Sequence, residues 1–190
     1  AQWANHHAEI WKSRPVKGEI GIVYVPESQI FNFVQQGNTD YYAQSIRGAY
    51  QAFFDSNIQA DFVHLDDIQQ YPLIYLPYPV HLKEASAKKL DQYVRDGGIL
   101  VSEGLPGYFG ERGKVGVKQP NYSFGELFGA RESYVEFTPD LLENLQFQIN
   151  GKAVGGRYFL QRYEATGGQV VGHYADGTPA AVEHRAGKGR

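Results

Sequence analysis

The chain has 190 residues, 42% hydrophobic and 21% charged, with a formal net charge of −3 at pH 7, the balance of one well-filled globular core. That charge, with no basic block, argues against a general nucleic-acid or membrane-surface binder, and no apolar run approaches the roughly 18 residues of a membrane span. Cysteine is absent, which removes disulfides, thiolate metal sites and a cysteine nucleophile together.

Methionine is absent too, including at position 1, so the chain is read as a processed product or a piece cut from a longer protein. Residues 1–13 form one expected helix with Trp3, Ile10 and Trp11 on a single face. That face either packs on its own domain or meets something outside the chain. Arg14-Pro15 ends the helix, and the main domain is taken as residues 17–190.

Residues 19–25 are short, apolar and β-branched, as a strand buried on both faces would be. Residues 26–38 are expected to be a loop. Residues 39–57 carry a helical stripe at Tyr42, Ile46, Ala49, Tyr50, Phe53 and Phe54, and residues 60–65 read as the next strand. Residues 73–76 make a third strand. Residues 83–96 make a helix with Ala87, Leu90, Tyr93 and Val94 inward, closed by Gly97-Gly98 as a left-handed cap. Residues 99–102 make a fourth strand. Strand and helix alternate here, which specifies a mostly parallel sheet with right-handed connections.

Residues 104–121 form a glycine-rich surface loop, of the kind that is often functional. Ser123-Phe-Gly-Glu126 is a capping-box pattern before a short helix. From Glu132 the chain turns β-rich, with strands at 147–149, 157–163, 169–174 and 180–184. Asn150-Gly151 is a hairpin turn signal and Gly167-Gly168 a second one. The closing Ala186-Gly-Lys-Gly-Arg190 reads as a turn that feeds a further strand.

Chemistry is sparse. Ser102-Glu103-Gly104 follows a buried strand, the place of a nucleophile elbow, but Leu100 stands where the elbow needs its first glycine. His184 with Glu183 would complete a triad only through contacts that spacing does not specify, and His64, His81 and His173 are equal candidates. Asp66-Asp67 lacks a third ligand at metal-site spacing, and no metal or cofactor is expected. Neither a dinucleotide fingerprint nor a Walker loop is present. Glu27, Glu103 and Glu126 are not paired as glycosidase carboxylates by any rule of sequence. A ligand, if bound, would sit beyond the strand ends, where Pro26, Glu27, Tyr78, Ser102, Glu103, Tyr108 and Phe109 are the candidate lining residues. Trp3, Ile10 and Trp11 are the candidate interface residues, since aromatic side chains are enriched in contact surfaces.

Several segments in order carry a resemblance: Arg14-Pro-Val-Lys-Gly-Glu-Ile-Gly-Ile-Val-Tyr-Val-Pro-Glu-Ser-Gln29, Gln36-Gly-Asn-Thr-Asp-Tyr-Tyr42, Gly48-Ala-Tyr50, Tyr75-Leu-Pro-Tyr-Pro79 and Gly97-Gly-Ile-Leu-Val-Ser102. Together they resemble the middle, trimerisation domain of family 42 β-galactosidases. The resemblance implies a three-layer α/β fold with a flavodoxin-like sheet of the class I glutamine amidotransferase type. It also implies a catalytic (β/α)₈ barrel upstream that holds both catalytic glutamates, with residues 1–16 as the linker leaving it. Assembly into a homo-trimer is then the expected role. Loops of the domain would help wall a neighbour's active site. The alternatives are a small-molecule or carbohydrate-binding domain using the strand-end crevice, and a serine hydrolase built on Ser102. No nucleic acid or membrane partner is expected, and a soluble bacterial protein of cytoplasm or periplasm is implied.

Overall fold

A computed structural model describes residues 2–13, 16–138 and 145–190. The N-terminal segment is two short helices, α1 (Gln2–His6) and α2 (Ala8–Lys12), and not the single expected helix. The break falls at His7, whose ring packs on Trp3 at 4.5 Å. Trp3, Ile10 and Trp11 are 62%, 52% and 66% exposed.

Four strands build the main sheet: β1 (Ile20–Val23), β2 (Ala60–Val63), β3 (Leu73–Leu76) and β4 (Ile99–Ser102). Their order is β2-β1-β3-β4 and every pairing is parallel. All four β1 residues are buried, as a central strand covered on both sides requires. The α/β reading of the sequence therefore holds.

Three helices accompany the sheet: α3 (Pro26–Gln36), α4 (Asp40–Asp55) and α5 (Glu84–Asp96). Residues 26–36 are thus helix, not the loop expected. Pro26 starts it at a position where a missing N–H costs nothing, and Gly37 ends it at φ 73°. The segment hides its helicity because the residues it buries are polar, Ser28 and Asn32.

The two faces of the sheet differ. On one, Val63, Ile74, Leu76 and Leu100 are buried beneath α5, whose Ala87, Leu90, Tyr93 and Val94 point inward as the sequence indicated. Gly97 closes α5 at φ 125°. On the other face α4 covers the middle: Phe53 meets Tyr75 and Tyr50 stacks on Phe62. The flanks of that face stay open, with Phe62 55% and Val101 42% exposed. Within the predicted α4 stripe, Tyr42 and Ala49 are buried, while Tyr50 and Phe54 lie toward solvent.

The glycine-rich segment is not simply a surface loop. Leu105 enters the core, and Phe109 forms bridges with both His81 and Val115. The capping box fails to form before α6 (Phe124–Leu127). Ser123 is itself helical and makes no cap bond; its hydroxyl reaches Asp91 instead.

The C-terminal part is antiparallel. β5 (Ala130–Thr138) pairs with β8 (Tyr158–Ala165). A second sheet has the order β10-β9-β6-β7, from β6 (Leu145–Ile149), β7 (Lys152–Gly156), β9 (Gln169–Tyr174) and β10 (Pro179–Glu183). Asn150 and Gly151, at φ 49° and 76°, make the expected hairpin between β6 and β7, the positive φ pair that such a turn demands. Gly167-Gly168 makes no hairpin: β8 and β9, which it connects, belong to different sheets.

Candidate functional site

In a parallel sheet the chain must reverse beyond the carboxyl ends of the strands, so loops gather there. All the candidate lining residues lie at this end, but with different employment. Pro26 and Glu27 open α3, and the Glu27 carboxylate accepts a hydrogen bond from Ser86 Oγ at 2.9 Å. At the next residue, Ser28 Oγ donates to the His81 carbonyl at 2.7 Å and accepts from the His81 amide at 3.1 Å. This couple bridges the chain leaving β1 to the chain leaving β3. Phe31 then stacks on the His81 ring at 5.0 Å and packs at a tilt on Phe109 at 4.5 Å.

Glu103 is an internal anchor. Its carboxylate accepts from Ser45 Oγ at 2.5 Å, from Tyr75 OH at 3.0 Å and from the Tyr78 amide at 3.2 Å. Those three bonds tie α4, β3 and the Pro77-Tyr78-Pro79 turn together. Burial first, then the Glu103 carboxylate, pushes the Tyr75 phenol far above its ordinary range, so it stays a donor. The Tyr78 backbone sits at φ 35°, a region costly for a tyrosine that the Glu103 bond helps to hold. Ser102 Oγ donates to the Glu103 carbonyl at 2.8 Å, and His184 Nδ1 lies 3.0 Å from the Leu127 carbonyl. No triad geometry connects the two among the described residues.

A groove of about 260 Å³ opens at this end. Tyr78 and Val80 form one wall, Leu105, Tyr108 and Phe109 another, and Val135, Phe137 and Phe159 of β5 and β8 a third, with Gln35 and Gln36 of α3 at the rim. Of the candidates, Tyr78, Tyr108 and Phe109 come together in it; Glu27, Ser102 and Glu103 do not line it. A wider hollow of about 560 Å³ lies on the second antiparallel sheet, along the β6–β7 hairpin and β9. Among the described residues no group of three or more His, Asp or Glu is placed to hold a metal ion.

Sequence reasoning missed Gln161. This buried side chain accepts from the Leu105 amide at 3.0 Å and donates to Glu132, joining the β5–β8 pair to the segment after β4. Burial raises the Glu132 carboxyl above its ordinary value, and the Gln161 bond opposes the rise. Nothing local marks a glutamine in a strand for this task; only the pairing brings it beside Leu105.

The fold agrees with what the chain is similar to. Residues 18–190 match the family described as the β-galactosidase trimerisation domain. A curated relative, β-galactosidase LacA of Lactobacillus acidophilus, is 26% identical over 156 residues, which is 78% of this chain and 23% of that protein. Among solved structures, Gan42B, a GH42 β-galactosidase from G. stearothermophilus, superposes with a TM-score of 0.78 at 23% identity, over 93% of this chain and 27% of that one. The β-galactosidase of Rahnella sp. R3 gives 0.83 at 18% identity, over 99% and 30%. The chain therefore spans about a quarter of the length of the curated relatives it matches. It belongs to the β-galactosidase trimerisation domain family.

Proposed function

We propose that this domain holds together a β-galactosidase-like enzyme as a homo-trimer, with a catalytic barrel elsewhere in the same parent chain and residues 1–16 as the linker from it. The family match over residues 18–190 carries the reading. The surface supports it. Helix α3 turns Ile30, Phe33 and Val34 to solvent at 63%, 56% and 73% exposure, the reverse of what a helix serving only its own core would do. Nearby, Phe137 is 45% exposed at the groove that Gln35 and Gln36 rim.

A cyclic trimer joins two different patches of each subunit. The α3 stripe is one. Val115 and Val117, exposed on the glycine-rich segment whose Gly113 faces Phe31 of α3, extend it; exposed Trp3, Ile10 and Trp11 are the second. The test uses the parent protein. Phe33→Asp with Val34→Asp is expected to lower its mass in light scattering from three chains to one, as is deletion of residues 17–190. A trimer that survives both changes would overturn the proposal.

One observation favours a second role for the strand-end groove. Tyr78, Tyr108, Phe109 and Phe159 wall it and two amide side chains rim it, a combination suited to the face and hydroxyls of a sugar. Titration with galactose and lactose, followed by tyrosine fluorescence in the parent protein and in Tyr108→Ala, tests this. Equal signals from both proteins would dismiss it.

A further inference from the structure

The second antiparallel sheet borders a hollow of about 560 Å³ that neither the assembly role nor the strand-end groove uses. Side chains alternate along a strand. Gln146 and Gln148 therefore share one face of β6, and Phe147 and Ile149 the other. Register carries the first face across the sheet: Gln148 lies opposite His173 of β9 and opposite Ala153 of β7, and Gln146 lies opposite Gly155. Gln146, Gln148, Ala153 and His173 all line the hollow. Tyr174 faces the other way, its hydroxyl donating to the Gln161 carbonyl at 2.9 Å.

Small residues keep the floor of the hollow low. Ala153 and Ala175 lie in it, and a Cβ added at Gly151 or Gly155 would meet no atom within 4 Å. Above the floor stand the amides of Gln146, Gln148 and Asn150 and the imidazole of His173. None of these four side chains has a hydrogen-bond partner among the described residues. Elsewhere the amides of Gln44, Gln59, Gln119 and Gln161 are all bonded. No carboxylate, ammonium or guanidinium lines the hollow among the described residues. An anionic ligand asks for cations, and an apolar helix asks for an apolar face. This face offers neither. An amide holds donors and an acceptor side by side, which answers the adjacent hydroxyls of a neutral sugar, and the small apolar floor suits the sugar's C–H side.

We infer that this face is a binding site for a neutral oligosaccharide, separate from the strand-end groove. Gln148 and His173, opposite one another, take the hydroxyls of one sugar unit. Gln146 lies about 7 Å from Gln148 along β6, far enough to reach the next unit. The site is open and has no aromatic platform, so it binds weakly, in the millimolar range. Its use is to hold a soluble glycan at the surface of the parent protein. The inference depends neither on the trimer nor on the groove.

Photolabelling of the parent protein tests it. The probes are a thio-linked digalactoside and a thio-linked diglucoside, each carrying a diazirine and each resistant to hydrolysis. At least one is expected to label the β6–β7 hairpin or β9, and millimolar unlabelled disaccharide is expected to remove that label. Ala153→Trp fills the hollow from an exposed position and should lose the label, as should Gln148→Ala with His173→Ala. Tyr108→Ala, in the groove, should keep it. Absence of label from these strands with both probes would overturn the inference. So would a label that resists competition, or one that survives both sheet variants. A fall in the mass of the Gln148→Ala, His173→Ala parent in light scattering would also overturn it, by giving the face to a second copy.

Discussion

Helices α3 and α5 both belong to the parallel-sheet half of the fold and bury opposite chemistry. α5 hides Ala87, Leu90, Tyr93 and Val94 and shows solvent its charged residues, among them an i,i+4 pair of Lys88 with Glu84 at 2.7 Å. α3 hides Ser28 and Asn32, both fully buried, and shows Ile30, Phe33 and Val34. Inside, both side chains make hydrogen bonds, although the Asn32 Nδ2 has no partner. Ser28 meets both backbone groups of His81, and Asn32 Oδ1 accepts the Tyr42 amide at 3.2 Å. A helix can therefore be fixed to a core by a few specific hydrogen bonds and keep its apolar face for something else. The cost is that such an attachment is worth less than packing: about 1 kcal/mol net for each bond, against roughly 1.5–3 kcal/mol for each large apolar side chain buried.

The largest effect is expected in α5. Leu90→Ala leaves a cavity in a site with no solvent access and should cost about 2–5 kcal/mol. The loss is measured as a fall in the urea midpoint of the isolated chain. A loss under about 1 kcal/mol would mean that α5 is not the helix that seals the core.

A second expectation concerns pH. Burial is the first cause raising the phenols of Tyr42, Tyr75, Tyr78 and Tyr163, and it raises Tyr93 to about 12. An unfolded tyrosine ionises near pH 10. The native state therefore keeps its protons where the unfolded chain has lost them. The stabilisation from this difference is complete below pH 10 and is lost as pH rises from 10 through 12 and beyond. Urea midpoints should fall steadily above pH 10, while phenolate absorbance near 295 nm lags the content of tyrosine until unfolding. Full phenolate absorbance in the folded chain at pH 11 would contradict this.

Ser28→Ala is expected to cost less than the loss of Leu90, about 1–3 kcal/mol, because it strands two part-buried backbone groups of His81 without opening a large cavity. If it costs as little as an exposed substitution, the polar attachment of α3 is not what holds it.

The contrast also explains what could be read in advance. α5 was legible because its buried face is apolar at helical spacing and Gly97 marks its end. The four parallel strands were legible as short apolar runs. α3 was not, since periodicity arguments look for apolar residues facing inward and here they face outward. β5 was hidden by the charges in its run, Arg131, Glu132 and Glu136, which its pairing with β8 accommodates. At the candidate site, the aromatics Tyr78, Tyr108 and Phe109 were legible from their place after the strands. Glu103 was expected to line a ligand site and is instead an anchor, which its sequence could not show because its partners Ser45, Tyr75 and Tyr78 come from three separate segments. Gln161 carried no signal at all, since its partners are fixed by tertiary pairing.

The smallest effect on the isolated chain is expected from Phe33→Ala, and it divides the two accounts of α3 most sharply. Phe33 is 56% exposed and lies between Ile30 and Val34, which are more exposed still. Truncating it removes surface that the folded chain already leaves in water, so stability should change by no more than about 0.5 kcal/mol. The same change in the parent protein should weaken assembly, since large side chains that become buried only between subunits carry much of the energy of association. Light scattering across a dilution series should then show the Phe33→Ala parent dissociating at higher concentration than the wild type. A loss of more than about 2 kcal/mol in the isolated chain would mean that Phe33 belongs to the core after all. Unchanged stability with unchanged assembly would instead move the interface away from α3, to Trp3, Ile10 and Trp11.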